Sequence, residues 1–381
     1  RDVAPSRGLG DVYKRQENRL NSICNQFQLE GTILTVKPLG EGFINDTLMI
    51  TTAEATAPNY ILQRKNKNIF QNIPAMMENI QQVTTHLKNK IVAQGGDPMR
   101  EALTITPTKD GKLYYQDEDG EYWAVCVFIG DTIAYQKADT PELAYQGGKG
   151  IGKFQAMLSD FTEPLTDILP GFHNIRYRFQ QWDQVLAKDP VGRKATVPSE
   201  IQWIERRREE MLHFWELVEN GTIPTRVTHN DTKINNILFD KQGNVLCVID
   251  LDTVLSSTCL NDYGDAMRSY TNTGLEDDEN LDNVSMNLDI FRGYTQGYLS
   301  ETAQFLNPAE IDYLAFSAKY ITYEQVLRFL MDYIDGDKYY KVKNQVHNLV
   351  RARAQHKLLQ SMEAQYEQMC SIVKEEIAKY K

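Results

Sequence analysis

Two acids, an amide and a lysine stand close together in this chain, at spacings that suit phosphoryl transfer. Residues 227–240 read Val-Thr-His229-Asn230-Asp231-Thr232-Lys233-Ile-Asn-Asn236-Ile-Leu-Phe-Asp, and Val-Leu-Cys-Val-Ile-Asp250 follows after a short turn. Transfer from ATP needs a carboxylate to take the proton of an attacking hydroxyl, an amide and a second carboxylate to hold magnesium, and a cation to balance the moving charge. Asp231 is the expected base and Lys233 the cation. Asn236 and Asp250 are the expected magnesium ligands, because magnesium takes one or two protein oxygens and keeps the rest as water and phosphate. An Asp and an Asn five apart often only satisfy turn backbone. The ordered set with His229, Lys233 and Asp250 is far more specific.

The elements that must position these groups are legible around them. The apolar runs Ile234 to Phe239 and Val245 to Ile249 flank Lys241-Gln242-Gly243-Asn244, which is a hairpin signal. Such a hairpin returns Asp250 beside Asn236. Upstream, Leu29 to Ile129 is β-rich: strands at Thr32 to Lys37, Thr47 to Thr52 and Tyr60 to Lys65, a helix over Ile69 to Lys90, then short strands bracketed by the turns Asp110-Gly111 and Asp119-Gly120, ending on Trp123 to Ile129. From Gly130 helix-length patterns dominate: Pro141 to Phe161, Asn174 to Lys188, Ser199 to Asn220, Met286 to Ser300, Pro308 to Tyr333 and Val342 to Tyr380. Segregated β then α predicts an α+β, bilobal molecule. Residues 17–129 form the expected nucleotide-binding lobe and 130–381 the catalytic lobe, with a ligand cleft expected between them.

Between the first two strands, Leu39-Gly40-Glu41-Gly42-Phe43-Ile44-Asn45-Asp46-Thr47 offers two glycines whose backbone N–H groups can cover phosphates; alone, a plain hairpin turn explains the pair equally well. Gly147-Gly148-Lys149-Gly150-Ile151-Gly152 lacks the Ser/Thr and the preceding strand of a nucleotide loop, and reads instead as close helix packing. Glu276-Asp277-Asp278-Glu279 lacks the glycine of a calcium loop and reads as a solvated loop.

The chain as a whole narrows the classes. Its 381 residues suffice for two lobes, and 41 % hydrophobic with 24 % charged residues is ordinary globular composition. A net charge of −11 argues against nucleic-acid binding and against anchoring to anionic lipid. The 5 cysteines are scattered without metal spacing, as expected of free thiols in a reducing cytoplasm. No run of about 18 apolar residues suggests a membrane span, and no signal peptide is visible. Residues 1–16 show no apolar period and resemble a translated adaptor remnant, so they are set aside from function. A monomer or weak homodimer is expected.

These motifs resemble the aminoglycoside phosphotransferase and choline kinase-like superfamily, which has a protein-kinase-like fold. Within it, the chain is most similar to bacterial N-acetylhexosamine 1-kinases, from about Phe27 to Lys374. The shared stretches are Gly40-x-Gly42-x-Ile44-Asn45-x-Thr47, Tyr60-Ile-Leu-Gln63, Arg226-Val-Thr-His-Asn-Asp-Thr-Lys233, Asn235-Asn236-Ile-Leu, Ile249-Asp250-Leu-Asp252-Thr253, Asp262-Tyr-Gly-Asp265, Arg328-Phe-Leu-x-Asp332-Tyr and His347-Asn-Leu-Val-Arg351. The resemblance implies transfer of the ATP γ-phosphate to the anomeric hydroxyl of N-acetylglucosamine or N-acetylgalactosamine. It places Ile44 near the sugar, Gly40, Gly42, Asn45 and Thr47 over the nucleotide phosphates, and Phe128 and Ile129 in a hinge behind adenine. Asp262 is expected to cap the helix that begins there and brace the catalytic loop; Asp265 either does likewise or contacts substrate. Asn230, Arg328 and Tyr339 are the expected sugar contacts, Arg328 first because its guanidinium is a fixed fork of donors. The alternative is an Arg328–Asp332 pair at i, i+4. His229 is expected to be structural.

The chain departs from the kinase pattern at Gln63, which stands where protein kinases carry a phosphate-pairing lysine. Arg64 and Lys65 are the substitute cations to consider, and Glu78 is a weak acidic partner. Ser269 replaces an expected apolar or aromatic residue. A kinase of an aminoglycoside, choline or homoserine is the rival reading, and a catalytically idle nucleotide-binding regulator a more distant one.

Overall fold

The computed structural model describes residues 18–40 and 45–380, and the chain divides between Asp131 and Thr132 into two units. The segment 1–16, Gly42 and Ile44 lie outside the described residues.

The first unit is an antiparallel sheet of β1 (Ile33–Pro38), β2 (Asp46–Thr52), β3 (Tyr60–Lys65), β4 (Ile105–Thr106), β5 (Tyr115–Gln116) and β6 (Tyr122–Val127). Its order is β1-β2-β3-β6-β4, with β5 also on β6. The Asp-Gly pairs do what their chemistry suggests, since Gly111 and Gly120 take φ of 83° and 71°, where an L side chain is strained. A helix absent from the sequence expectation, α1 (18–24), brings Ile23 and Cys24 onto Phe27, Ile50, Tyr60, Leu62, Trp123 and Val125. Helix α2 (Ile73–Ala93) starts on an Asn72 cap with proline in its first turn, and buries Ile73, Met76, Met77, Ile80, Val83, Leu87 and Ile91 at helical spacing. A short α3 (Pro98–Glu101) follows.

The second unit is mainly helical: α4 (Pro141–Met157), α5 (Ile175–Lys188), α6 (Pro198–Glu205), α7 (Arg208–Glu219), α8 (Cys259–Tyr270), α9 (Leu288–Thr302), α10 (Pro308–Asp335), α11 (His347–Ala364) and α12 (Tyr366–Ile377). Two long helices of the sequence expectation are broken. The 199–220 run turns at Arg206 and Arg207, where Arg207 swings onto Glu363 in two bonds of 2.5 and 2.7 Å. The 342–380 run starts only at His347 and breaks at Gln365, whose amide reaches the Met286 carbonyl.

The glycine-rich stretch lies inside α4. A Cβ on Gly148 would overlap the Tyr294 carbonyl, and one on Gly152 would lie 2.8 Å from that of Tyr298; on α9, a Cβ on Gly297 would overlap the Tyr145 carbonyl. Glycine on both helices is what lets their backbones touch.

α10 is the spine of this unit. Asn307 and Glu310 form a capping box at its start, Pro308 opens its first turn, and Gly336 closes it at φ 96°. Among the described residues no helix is long and apolar enough to cross a membrane.

Candidate active site

Two short strand pairs deliver the acids. β7 (Arg226–Thr228) runs into the loop 229–233, a 3-10 turn spans Ile234–Asn236, and β8 (Ile237–Phe239) pairs with β9 (Val245–Val248). The expected strand from Ile234 therefore starts three residues late. After Asp250 and the turn Leu251–Thr253, β10 (Leu255–Ser257) returns antiparallel to β7, a pairing the sequence did not announce. The Ile249 N–H donates to the Asn236 carbonyl at 2.9 Å, so the hairpin continues one step past its strands and carries Asp250 back beside Asn236. Asp250 itself sits at φ 60°, a left-handed conformation rare for a non-glycine residue.

The loop around Asp231 is fixed from outside. The buried Asp262 carboxylate accepts the N–H groups of His229 (3.0 Å) and Asn230 (2.7 Å) and the Gln155 amide (2.9 Å). Asp265 accepts the Thr232 N–H at 2.9 Å and pairs with Arg268 at 3.0 Å. The Thr232 hydroxyl donates to the Asp262 carbonyl at 2.7 Å. Burial pushes the Asp262 carboxyl up, against the pull of His229 and of the N–H donors. Burial also works against ionised Asp265, but Arg268 and Lys233 hold its carboxyl below the usual range. Asp262 does not cap α8. Thr258 does, its hydroxyl accepting the Leu260 N–H, which leaves Asp262 inside the first turn and free to serve the loop.

His229 is part of the frame. Its Nδ1 accepts the Asp231 N–H at 3.2 Å, so Nε2 carries the hydrogen and donates to the Ile249 carbonyl at 2.8 Å. One imidazole thus ties the residue of the expected base to the strand end that carries Asp250. Asn230, at φ 66°, is buried: its amide nitrogen donates to the carbonyls of Thr253 (2.9 Å) and Thr228 (3.4 Å), and among the described residues its amide oxygen has no hydrogen-bond partner.

Asp231 is half-buried between two partners. Lys233 Nζ lies 3.2 Å from Oδ1, and Asn236 Nδ2 donates to Oδ2 at 3.1 Å and to the Asp231 carbonyl at 2.8 Å. The Asp231 charge raises the Lys233 ammonium, with further help from Asp265, so Lys233 is a fixed cation. Because the amide nitrogen of Asn236 is committed to Asp231, its oxygen is the atom left to a cation.

In the first unit, the Leu39 N–H donates to the Thr47 carbonyl at 2.9 Å and closes the loop that starts at Gly40, which takes φ 68°. Thr47 pairs with Gln63 across β2 and β3, and Gln63 Nε2 reaches the Thr47 hydroxyl at 3.2 Å. The buried Lys65 places Nζ 2.7 Å from Gln63 Oε1, as expected of residues two apart on one sheet face. Arg64 points outward and pairs with Asp46. Asn45 is buried and accepts the Asn66 N–H at 3.1 Å. Phe128 N–H bonds the Asn59 carbonyl at 2.9 Å, and Ile129 is buried. Glu78 is exposed on α2.

Arg328 on α10 does not pair with Asp332. Its guanidinium lies 5.7, 5.6 and 5.6 Å from the rings of Phe172, Tyr339 and Tyr340, and Nη2 contacts the Tyr339 hydroxyl at 3.4 Å. Asp332 is used up elsewhere: it accepts the backbone N–H groups of Lys338, Tyr339 and Tyr340 at 2.9 to 3.0 Å, and the Asn348 amide at 2.8 Å. Asp332 therefore shapes the turn that sets Tyr339 and Tyr340 beside Arg328. Ser269 bonds back to the carbonyls of Asp265 and Ala266. The acidic run is more than a solvated loop. Glu276 takes Arg268 at 2.8 Å, and Asp277 takes Lys343 at 2.8 Å and His347 at 2.9 Å, which depresses its carboxyl to about 2. Partners 8, 66 and 70 residues away decide this, and the local composition cannot show them.

Sequence reasoning missed Gln155, Thr253 and Arg268 as framing groups. It also missed Glu310, which takes Arg226 in two bonds of 2.6 and 2.8 Å and so ties the start of α10 to β7. Helical patterning of 141–161 and 308–333 marks the elements but not which polar residue turns inward.

Residues 35–299 match the model of a family described as the phosphotransferase enzyme family. The fold is similar to that of a microcompartment-associated aminopropanol kinase (TM-score 0.63, 14 % identity, covering 92 % of this chain and 98 % of that one). It is similar to an aminoglycoside phosphotransferase from Alicyclobacillus acidocaldarius subsp. acidocaldarius DSM 446 (TM-score 0.58, 15 % identity, 97 % and 98 % covered). A spectinomycin phosphotransferase solved with ADP and spectinomycin is a third such structure (TM-score 0.56, 14 % identity, 92 % and 98 % covered).

Proposed function

Because the chain belongs to the phosphotransferase enzyme family, we propose that it is an ATP- and magnesium-dependent kinase of the anomeric hydroxyl of N-acetylhexosamines. The observation that carries the chemistry is the Asp231 carboxylate, with one oxygen on the Lys233 ammonium and the other on the Asn236 amide. In this reading Asp231 accepts the proton of the sugar's hemiacetal hydroxyl, help worth about 10²–10⁴ in rate. Lys233 balances charge on the transferred group. ATP is the phosphoryl donor, as its analogues in related structures suggest: ADP accompanies spectinomycin in the phosphotransferase above. Gly40, Gly42, Asn45, Thr47 and Gln63 are the proposed phosphate-side contacts, and Phe128 and Ile129 the adenine-side ones.

Asn236 and Asp250 are the proposed magnesium ligands. The donor set fits a hard cation: one amide oxygen and one carboxylate, brought to neighbouring positions by the Ile249–Asn236 backbone bond. Magnesium, when bound, supplies neutralisation of the phosphate oxygens.

For the acceptor, the support is Arg328. Among the described residues no carboxylate forms an ion pair with it, and aromatic rings surround it. A cation so placed favours neutral oxygen-rich or amide-bearing acceptors and disfavours ammonium-bearing ones. That weighs against the second reading, an aminoglycoside, choline or homoserine type of acceptor, although the similar fold of an aminopropanol kinase keeps a small amine-bearing alcohol in view. Asn230 and Asp265 are less suited to touch sugar than the sequence suggested, because Asn230 is buried and the Asp265 oxygens are engaged by Thr232 and Arg268. Tyr339 is 60 % exposed and remains a proposed contact.

The test is an acceptor panel with ATP and magnesium, read by ADP formation, with phosphorus NMR to locate the new ester. N-acetylglucosamine or N-acetylgalactosamine should be turned over, with phosphate on carbon 1. Turnover confined to amine-bearing alcohols would replace this reading with the second one.

A further inference from the structure

His173 lies 57 residues before the catalytic loop, in the turn that precedes α5, and no local motif marks it. It is nearly buried, at φ 54°, a conformation that histidine rarely adopts. Its Nδ1 is 2.6 Å from Glu324 Oε2 on α10, and its Nε2 is 3.3 Å from the Asn230 carbonyl oxygen. Arg178 on α5 approaches the other Glu324 oxygen at 3.3 Å, and the Tyr320 hydroxyl on α10 donates to the His173 carbonyl at 2.7 Å. Beside it Phe172 lies tilted at 48°, 4.2 Å between ring centres, with Arg328 over the Phe172 ring. His173 also contributes to holding low the carboxyl of Asp265 on α8.

The two oxygens facing the ring can only accept. The Asn230 carbonyl has no hydrogen, and Glu324 is ionised: burial opposes its charge, but His173 and Arg178 pull its carboxyl down to about 2. A neutral imidazole has one N–H and would leave a nitrogen lone pair against an oxygen lone pair. Both contacts are satisfied at once only when both nitrogens carry hydrogen.

We propose that His173 is a positioning residue for the proposed base: as an imidazolium it bridges the Glu324 carboxylate to the Asn230 carbonyl and fixes the peptide that leads into Asp231. That peptide is then held by a ring at each end, its carbonyl by His173 and its N–H by His229 Nδ1. The two histidines do opposite jobs, since His229 must keep one nitrogen bare and His173 must keep neither. The inference rests on the kinase reading, in which Asp231 takes the acceptor proton. Losing one hydrogen from His173 leaves the Asn230 carbonyl without its donor, and misplacement of a catalytic group by about 1 Å costs on the order of 10²-fold in rate.

The experiment has two arms on the full chain. Nitrogen-15 NMR of histidine-labelled protein, assigned with His173→Gln, reads the ring without any substrate. Both His173 nitrogens should carry hydrogen at the pH of maximal turnover; a singly protonated ring there overturns the proposal. The second arm is kcat for wild type and for Glu324→Gln, which keeps the shape and removes the charge. In that variant kcat should drop about 10- to 10²-fold while KM for ATP stays within about twofold and the thermal midpoint shows a folded protein. An unchanged kcat in a folded Glu324→Gln overturns the proposal. Absence of turnover on every acceptor would instead sink the kinase reading, and the NMR arm separates that outcome from a neutral His173.

Discussion

The loop that starts at Gly40 and the loop that carries Asp231 are held in different ways. The first is held by its neighbours: Leu39 bonds Thr47, and Thr47 faces Gln63 on the next strand. The second is held by strangers. Its backbone hangs on Asp262, 32 to 33 residues on, and on His173, and its His229 ring is tied to the Ile249 carbonyl. His229, Thr232 and Asp262 are fully buried, whereas Gln63 and Thr47 are half-buried. A loop pinned by buried charges has one arrangement, as a proton acceptor needs.

The largest effect expected of this difference is at the base itself. Asp231→Asn should keep the fold and ATP affinity and lose about 10²–10⁴ in kcat; steady-state kinetics with a thermal melt check both. Near-normal turnover would remove Asp231 from the role. Next comes the brace. Asp262→Ala leaves the N–H groups of His229 and Asn230 and the Gln155 amide without their acceptor. At about 1–3 kcal/mol for each stranded buried group, the variant should lose several kcal/mol by urea unfolding, and turnover with it. Unfolding at the wild-type midpoint would show that the loop is not pinned in this way.

In the first unit the expected effect is smaller and falls on binding. Lys65→Met removes the cation beside Gln63, and should raise KM for ATP about tenfold, worth about 1.4 kcal/mol, with kcat changed less. A loss mainly in kcat would erase the contrast between the two loops.

The smallest effect is an acid limb of stability in the second unit. Glu324 is held at about 2, below its ordinary 4.5, by His173 and Arg178 against burial. A depressed folded value means that its contribution is complete above about 4.5 and is lost as pH falls towards 2. Glu324→Gln should flatten the unfolding free energy over that window by about one proton's slope. An identical acid profile would show that the Glu324 charge does not support the fold.

The chain alone determined the kinds of element and the local devices. Alternating apolar residues and Asp-Gly turns marked β1 to β6, and the spacing of Ile73, Met76, Met77 and Ile80 marked α2. Gly148 and Gly152 read as a close helix contact because only glycine removes the Cβ that α9 would meet. Asp231, Lys233, Asn236 and Asp250 were legible because a hairpin keeps them within twenty residues. Local pattern misjudged the breaks at Arg207 and Gln365, where a side chain bonded a distant element and the helix gave way. Only the tertiary structure decided which polar residues turn inward. Asp262 lost its expected cap to Thr258, Asp332 went to a turn instead of Arg328, and His173 came to face Asn230. A buried charge is stable only with its partners, and those partners are chosen by packing across the whole unit rather than by spacing along the chain.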